Sequence, residues 1–142
     1  CSLSTCSVFS AIDLVPSLAD LCKVPLPKKV NIDGEELSDV LLGNSEDSRK
    51  SPIFFRRPPD RDSFYGVKNL PDLAVRSGKW KLLCEYDGTN AELYDLSTDP
   101  GESNDLAGKN PEIYDQLVQQ VTSWHNAMPT DNGPSLVGLF RF

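Results

Sequence analysis

The clearest pattern of apolar and polar positions lies in residues 73–96, where three short strand-like runs are separated by turn residues at 77–78 and 87–90. In the middle run, apolar residues occupy alternate positions, which is typical of a strand whose sheet is covered on one face only. Another β-prone run, Ile53-Phe54-Phe55, precedes it and ends at Pro58-Pro59. The pattern therefore predicts a small antiparallel meander of about four strands. The alternating apolar residues of the middle run are Trp80, Leu82, Cys84 and Tyr86.

A helical pattern begins at Pro111 and supplies a cover for the apolar face of the sheet. Asn110 is suited to the N-cap position, and proline is favoured at the first helical position because its missing N–H has no intrahelical partner there. The fold class that follows is α+β, with the meander packed against this C-terminal amphipathic helix. Apolar residues recur at helical spacing at Ile113, Leu117, Val121 and Trp124.

Two shorter helical patterns precede the sheet. Asp13 can cap a helix that has Pro16 in its first turn and ends before Pro25. Asp33-Gly34 predicts a turn, and the apolar spacing after it predicts a short helix that ends at Gly43. The sheet is therefore expected to follow a short helical segment.

Two further segments fit neither the sheet nor the helices. Residues 60–70 are polar, irregular and numerous enough to form an excursion, so we mark them as a candidate functional loop. Residues 136–142 are apolar, although chain termini usually fray. Such a tail is expected to pack against another surface.

Composition narrows the classes of function. The 142 residues carry a formal net charge of −7, which argues against nucleic-acid binding because neutralising phosphates requires a basic face. No apolar run approaches the roughly 20 residues that cross a bilayer, so no membrane span is expected. The four cysteines include no C-x-x-C pair and are accompanied by one histidine, so a zinc site is weakly supported. Disulfides cannot be paired from the sequence, and free thiols are slightly favoured.

The chain offers no set of residues suited to catalysis. His125 falls in a last helical turn, where a structural cation near the negative end of the helix dipole is favoured over a catalytic base. The acidic run 95–101 differs from a calcium-binding loop, because Pro100 replaces the required glycine and Leu106 the bidentate glutamate. Arg76 lies in a strand just before a tight turn and is expected to be structural. We therefore assign no catalytic residue, no metal ligand and no cofactor to this chain.

Several segments occur in an order that is more specific than any one of them. They are IDLVPSL at 12–18, IDGEEL at 32–37 with LLG at 41–43, AVRSGKWKL at 74–82, ELYDL at 92–96, DPGESNDLA at 99–107, and the helix from NPE at 110–112 to Trp124. In this order they resemble the C-terminal region of the sulfatase family, the arylsulfatase-type, formylglycine-dependent enzymes. The resemblance covers about residues 12–129.

The resemblance implies what a complete enzyme of this kind contains. Members of the family hydrolyse sulfate esters with a calcium ion and a formylglycine made from Cys or Ser in a C-x-P-x-R or S-x-P-x-R motif. This chain has neither motif, and the family's metal-binding Asp/Asn set and its active-site His and Lys precede this region. Calcium and formylglycine are therefore expected in a missing N-terminal catalytic half, and this chain alone is expected to be inactive. The resemblance further implies a secreted, periplasmic or lysosomal location.

The patterns and the resemblance together divide the chain into three parts. Residues 1–52 are expected to complete the junction with the missing catalytic domain, residues 53–129 to form the C-terminal sulfatase subdomain, and residues 130–142 to be the apolar tail. The predicted function is to buttress a sulfatase catalytic domain and shape the rim of its cleft, which receives a sulfated small molecule or glycan. The alternative is a free-standing, non-enzymatic binding or interaction module.

The candidates for contact with substrate at this rim are Arg57, Arg61 and Tyr65. They lie in or beside the 60–70 excursion, where they could contact an anionic or sugar-like substrate. Arginine suits this role because its planar guanidinium matches sulfate or carboxylate. The simpler alternative is that they are solvated loop charges and one packing tyrosine.

Overall fold

The computed structural model describes residues 7–57 and 70–129. The chain forms two compact units, of which the first comprises Cys1–Ile53 with Ser77–Lys79 and the second Phe54–Arg76 with Trp80–Phe142. Helices together with an antiparallel sheet confirm the α+β class expected from the sequence. The boundaries expected at residues 52 and 129 stay predictions.

The second unit contains most of a four-stranded sheet whose strands lie side by side in chain order. Because each strand neighbours the next one along the chain, the sheet is the meander that the sequence predicts. The last two strands are antiparallel, with Leu82 opposite Leu93. The strands are β1 (Ile53–Arg56), β2 (Leu73–Ser77), β3 (Trp80–Cys84) and β4 (Glu92–Asp95).

The C-terminal helix covers the apolar face of this sheet. On the helix, Leu117 and Val121 are 2% and 0% exposed, and they pack with five buried side chains of β2, β3 and β4. Burying one Leu or Val side chain contributes about 1.5–3 kcal/mol, so this cluster stabilises the second unit. The sheet residues are Leu73, Val75, Leu82, Cys84 and Leu93.

The start of this helix, α3 (Pro111–Ala127), has the predicted position but not the predicted cap. Asn110 occupies the N-cap position, yet its side chain makes no capping hydrogen bond. Its Nδ2 instead donates to the carbonyl oxygen of Leu106 at 3.4 Å. The helix therefore depends on proline at its first position and on burial of its apolar face.

The turn between β3 and β4 lies directly against α3. Gly88 has a φ of +82°, a conformation that favours glycine. A Cβ at this position would lie 3.0 Å from Cγ2 of Thr122 and 3.1 Å from Cγ1 of Val118. Glycine is therefore needed here both for the backbone conformation and for the close approach of the turn to the helix.

The first unit consists of short helices and extended connections. A 3₁₀ turn at Ala11–Asp13 leads into α1 (Leu14–Leu21), and α2 (Ser38–Leu41) follows later. Gly43 follows α2 with a φ of +75°, in agreement with the predicted helix end. Across residues 7–57 and 70–129, no helix has the length and apolar character needed to cross a membrane.

Gly34 is required by close packing rather than by the turn that the sequence predicts. The expectation of a turn at Asp33-Gly34 is wrong, because this stretch carries no turn in the structure. A Cβ on Gly34 would lie 2.0 Å from the carbonyl oxygen of Ile12 and 3.0 Å from Cγ of Pro16. The glycine therefore marks the place where one backbone segment passes against another.

We expect Gly34→Ala to destabilise the chain by about 1–3 kcal/mol, because the added methyl overlaps a backbone carbonyl that cannot move alone. Urea unfolding of the 142-residue protein measures the change. Gly108→Ala is the matched control, since a Cβ there would meet no atom within 4 Å. Equal stabilities of the two variants would contradict the packing role of Gly34.

Candidate functional site

The first unit is organised around a buried ion pair between Asp13 and Arg49. Asp13 is 0% exposed and Arg49 is 5% exposed, and Nη1 of Arg49 donates to Oδ1 of Asp13. The same carboxylate accepts the backbone N–H of Ser10 at 2.9 Å and that of Glu35 at 2.8 Å. Asp13 is the N-cap residue of α1 but makes no capping bond to it. Its side chain joins separate segments of the chain instead.

Arg49 uses its other donors on backbone carbonyls. Its Nη2 donates to the carbonyl of Asp33 at 2.7 Å, and its Nε donates to that of Ser51 at 2.9 Å. A buried charge is tolerated when it is paired and hydrogen-bonded. Because all three nitrogens of the guanidinium have partners, Arg49 meets this condition and fixes the chain around it.

The carboxylate of Glu35 forms hydrogen bonds with the loop that carries Arg49. Its oxygens accept the backbone N–H groups of Lys50 at 2.9 Å and Ser51 at 2.6 Å. Burial favours the neutral acid, but these N–H groups and the Arg49 charge outweigh burial and lower the pKa of Glu35. We call the group formed by Asp13, Ser17, Glu35 and Arg49 the polar frame.

Most of the exposed large apolar side chains among the described residues belong to the first unit. On α1, Pro16 and Ser17 are buried, and Oγ of Ser17 accepts the backbone N–H of Leu37 at 2.9 Å. Ten of the thirteen exposed large hydrophobic side chains among the described residues belong to this unit, and Val15 and Val30 are each 60% exposed. We call these ten the apolar surface: Ile12, Leu14, Val15, Leu18, Leu21, Val24, Leu26, Val30, Leu41 and Leu42.

Of the three rim candidates, the structure describes Arg57, while Arg61 and Tyr65 lie outside the described residues. Arg57 follows β1, and its Nη2 lies 2.8 Å from Oδ1 of Asp72. Its backbone N–H donates to the Asp72 carbonyl at 2.8 Å, and its own carbonyl accepts the Tyr86 hydroxyl at 2.6 Å. These bonds hold Arg57 in place, and Arg57 is the last described residue before the excursion.

A shallow cavity of about 440 Å³ lies beside Arg57 and Asp72 in the second unit. Its lining is mainly apolar and includes Phe55 and Leu70, which are 53% and 46% exposed, together with Leu83. The lining combines two arginines, Arg56 and Arg57, and the carboxylate of Asp72 with mainly apolar residues. This combination suits contact with a group that has both polar and apolar faces.

His125 and Arg76 both lie in the second unit. The His125 ring stacks on Tyr86 with centroids 4.9 Å apart, and within the described chain its buried Nδ1 has no hydrogen-bond partner. Burial lowers the pKa of Arg76, while the carboxylates of Glu102 and Asp95 oppose this shift. The structural roles expected for both residues stay predictions.

The part of the chain that the structure describes contains no group of three or more His, Cys, Asp or Glu side chains that could hold a metal ion. These residues therefore do not fit a calcium site, which takes about six to eight oxygen ligands. Cys22 is exposed and Cys84 buried, and both are free thiols. Burial raises the pKa of Cys84 to about 11, so this thiol stays neutral.

Sequence patterns identify Arg57 but not its partners or the polar frame. No pattern links Asp13 to Arg49, because the two lie 36 residues apart and Arg49 belongs to a polar loop. The order of the strands does predict that Asp72 lies beside Arg57. In an antiparallel meander, the residue after one strand lies beside the residue before the next, so Arg57 and Asp72 are placed together.

The four-stranded meander, its covering helix and the ordered sequence segments define a sulfatase C-terminal domain. Residues 3–127 match the family described as "N-sulphoglucosamine sulphohydrolase, C-terminal", and the chain belongs to this family. The resemblance seen in the order of the segments is thereby confirmed.

Curated relatives include arylsulfatase K of Mus musculus, 33% identical over 125 residues, and arylsulfatase A of Homo sapiens, 36% identical over 135 residues. An N-acetylgalactosamine-6-O-sulfatase of Bacteroides thetaiotaomicron is 32% identical over 132 residues. These matches cover 86%, 78% and 82% of this chain, but only 22%, 25% and 23% of the relatives. The chain therefore spans about a quarter of the length of the curated relatives that it matches.

Solved structures share the fold. A structure described for the metabolism of multiple glycosaminoglycans by Bacteroides thetaiotaomicron has a TM-score of 0.62 at 29% identity, covering 84% of this chain and 25% of that chain. Ps i-CgsB in complex with k-i-k-neocarrahexaose has a TM-score of 0.65 at 22% identity, covering 84% and 24%. At 22% identity, the similarity to Ps i-CgsB shows the fold alone.

We expect Asp13→Ala to destabilise the chain by about 3–5 kcal/mol, because it leaves the Arg49 charge buried without its partner. The double variant Asp13→Ala/Arg49→Met should regain part of this loss, since it removes the unpaired charge. Thermal unfolding of the 142-residue protein measures both changes.

Asp115→Ala, at an exposed position of α3, is the control and should change stability by at most about 0.5 kcal/mol. A single variant Asp13→Ala that unfolds at the wild-type temperature would show that the polar frame does not hold the first unit together.

Proposed function

We propose that this chain serves as the C-terminal domain of a formylglycine-dependent sulfatase, and that its apolar surface packs on the catalytic domain of that enzyme. The observation that carries the proposal is the inverted distribution of side chains in the first unit. Four of the six buried side chains among the described residues of this unit, those of Asp13, Ser17, Ser38 and Arg49, are polar, whereas ten large hydrophobic side chains are exposed. Soluble domains normally show the opposite arrangement.

Ten exposed large hydrophobic side chains in one small unit favour an interface. Contiguous apolar patches larger than a few hundred Å² are rare on monomers, and burying them contributes about 25 cal/mol per Å². The polar frame joins α1 to residues 33–37 by hydrogen bonds, which reduces the conformational freedom that α1 loses when it docks. Both features support a role as a preorganised docking surface for a neighbouring domain.

The chemistry of sulfate-ester hydrolysis belongs, in this proposal, to the rest of the enzyme. The described residues do not fit a calcium site, and the sequence has no C-x-P-x-R or S-x-P-x-R motif. We therefore place calcium and formylglycine in the catalytic domain. The substrate is a sulfated small molecule or a sulfated glycan, and this chain contributes support and part of the cleft rim.

At the rim, we assign different tasks to the three candidates. Arg57 is bonded to Asp72 and Tyr86, so its task is to hold the base of the excursion. Arg61 and Tyr65, further along the excursion, are the residues proposed to meet the substrate. An arginine there offers two parallel N–H donors to a sulfate or carboxylate group.

We expect the purified 142-residue chain to bind a hydrophobic dye and to self-associate, because its apolar surface has no cover. The variant Val15→Glu/Leu42→Glu should reduce dye fluorescence and association. Gln119→Glu/Ser123→Glu, at exposed positions of α3, adds the same charge outside the apolar surface and should leave both unchanged. Fluorescence titration and sedimentation velocity measure the two effects.

A wild-type chain that is monomeric, binds no dye and unfolds cooperatively would contradict the proposal. That result would favour the free-standing interaction module, whose surface must be stable in water without a neighbouring domain.

We expect Arg61→Ala in the full-length enzyme to lower kcat/KM by roughly 10–100-fold, the loss that corresponds to one hydrogen bond to a charged group. An aryl sulfate and a sulfated sugar serve as substrates. Lys109→Ala, at an exposed position outside the excursion, is the control. Unchanged KM and kcat for both substrates would show that Arg61 does not contact the substrate at the rim.

A further inference from the structure

The exposed large hydrophobic side chains of the second unit, within its described part, are those of Phe55, Leu70 and Met128. Phe55 is 53% and Leu70 is 46% exposed, and both line the shallow cavity of about 440 Å³. Met128 is 39% exposed and directly follows α3. One exposed hydrophobic side chain is ordinary, but two on the same cavity form an apolar patch that another segment can cover.

This cavity lies on the face of the sheet that α3 does not cover. Leu73 and Leu82 belong to the core that packs against α3. Because side chains alternate between the two faces along a strand, Ala74 and Leu83 point to the opposite face, and both line the cavity with Phe55. Among the described strands, β1 has one neighbour, β2, so the cavity adjoins an edge strand. Natural proteins commonly cover such an edge with a loop or a helix.

The chain that leaves α3 begins next to this edge strand. Nη1 of Arg56, the last residue of β1, donates to the Pro129 carbonyl at 3.4 Å, and Arg56 also lines the cavity. Residues 130–135 then connect Pro129 to the apolar segment 136–142. Extended, a connection of this length reaches at most about 20 Å, whereas a strand as long as β1 spans about 13 Å. The segment can therefore reach any point along β1.

We propose that segment 136–142 of this chain packs into the cavity beside β1 and covers Phe55 and Leu70. The segment has no carboxylate side chain, and removing its apolar side chains from water together with the cavity lining favours the contact. The contact is independent of the proposed sulfatase function, since it joins parts of the second unit. The large apolar side chains of the segment are Leu136, Val137, Leu139, Phe140 and Phe142.

Apolar burial, rather than charge, is the attraction in this contact. The cavity lining includes Arg56 and Arg57 but a single carboxylate, that of Asp72, and the one charged side chain of the segment is Arg141. Opposite charges therefore do not draw the segment to the cavity. The connection at Pro129 favours this position instead, because a short tether gives a segment a high effective concentration near its point of attachment.

Urea unfolding of the 142-residue chain, followed by tryptophan fluorescence, tests the contact. The chain has two tryptophans, Trp80 and Trp124, and both pack against the core of the second unit, so their fluorescence reports on that unit. We expect a shortened chain that ends at Ser135 to unfold at a lower urea concentration than the full chain. Phe55→Ala should lower the midpoint of the full chain, but much less that of the shortened chain, in which Phe55 has lost its cover.

Ile113→Ala is the matched control. Ile113 packs against the core from α3, on the face of the sheet opposite the cavity, so its substitution should lower the two midpoints equally. An equal effect of Phe55→Ala in the two chains would overturn the contact. If the shortened chain does not fold, Phe140→Ser/Phe142→Ser in the full chain takes its place in the same comparison.

Thiol labelling supplies a second readout of where the segment lies. In Phe55→Cys, the thiol at position 55 should react with a small alkylating reagent several-fold more slowly in the full chain than in the shortened chain. Cys22, which is exposed in the first unit, is the internal reference and should react equally in both. Slower labelling of Cys22 in the full chain, without protection at position 55, would place the segment on the first unit. Protection at position 55 that disappears on dilution would assign the cavity to a second copy of the chain. Either result would overturn the proposal.

Discussion

The ion pair between Asp13 and Arg49 is the contact on which the first unit depends. Together with Glu35, it provides the hydrogen-bond partners for backbone groups in three stretches of the chain that are distant in sequence. Removing two charges from water costs several kcal/mol per ion, so such a pair adds little net stability when compared with apolar contacts of the same size. Its effect here is to specify which segments meet.

The two units are stabilised by different means. The second has an apolar core between the sheet and α3, centred on Leu82, Leu93 and Val121, each of which is 0% exposed. The first buries Asp13, Ser17, Ser38 and Arg49 together with only two apolar side chains among its described residues, Pro16 and Ile53, and it exposes ten large hydrophobic side chains. The proposed role assigns the first unit to the contact with a catalytic domain.

The parts that sequence patterns predict are those that depend on local periodicity. Alternation in β3 and helical spacing from Pro111 identify the meander and its cover, because burial of one face imposes those periods directly. The polar frame follows no periodic pattern, because the contact between Arg49 and Asp13 depends on the conformation of a loop. Gly34 shows the same limit: Asp-Gly is typical of a turn, yet here the glycine avoids a clash with Ile12.

The candidate site also has a part that the sequence predicts and a part that it does not. Arg57 stands out in the sequence because it precedes a polar excursion, and the order of the strands places it beside Asp72. The hydrogen bond from the Tyr86 hydroxyl to the Arg57 carbonyl could not be predicted, because the two residues lie 29 positions apart and no pattern links them.

The most direct test of the central claim, that the apolar surface is buried in a complete sulfatase, is the reactivity of a thiol at position 15. Val15→Cys would be labelled with a small alkylating reagent in the full-length enzyme and in the isolated 142-residue chain, with Asp115→Cys as the exposed control. Labelling at position 15 should be slower in the full-length enzyme by roughly tenfold or more, while the control reacts equally in both. Equal rates at position 15 would show that no domain covers this surface.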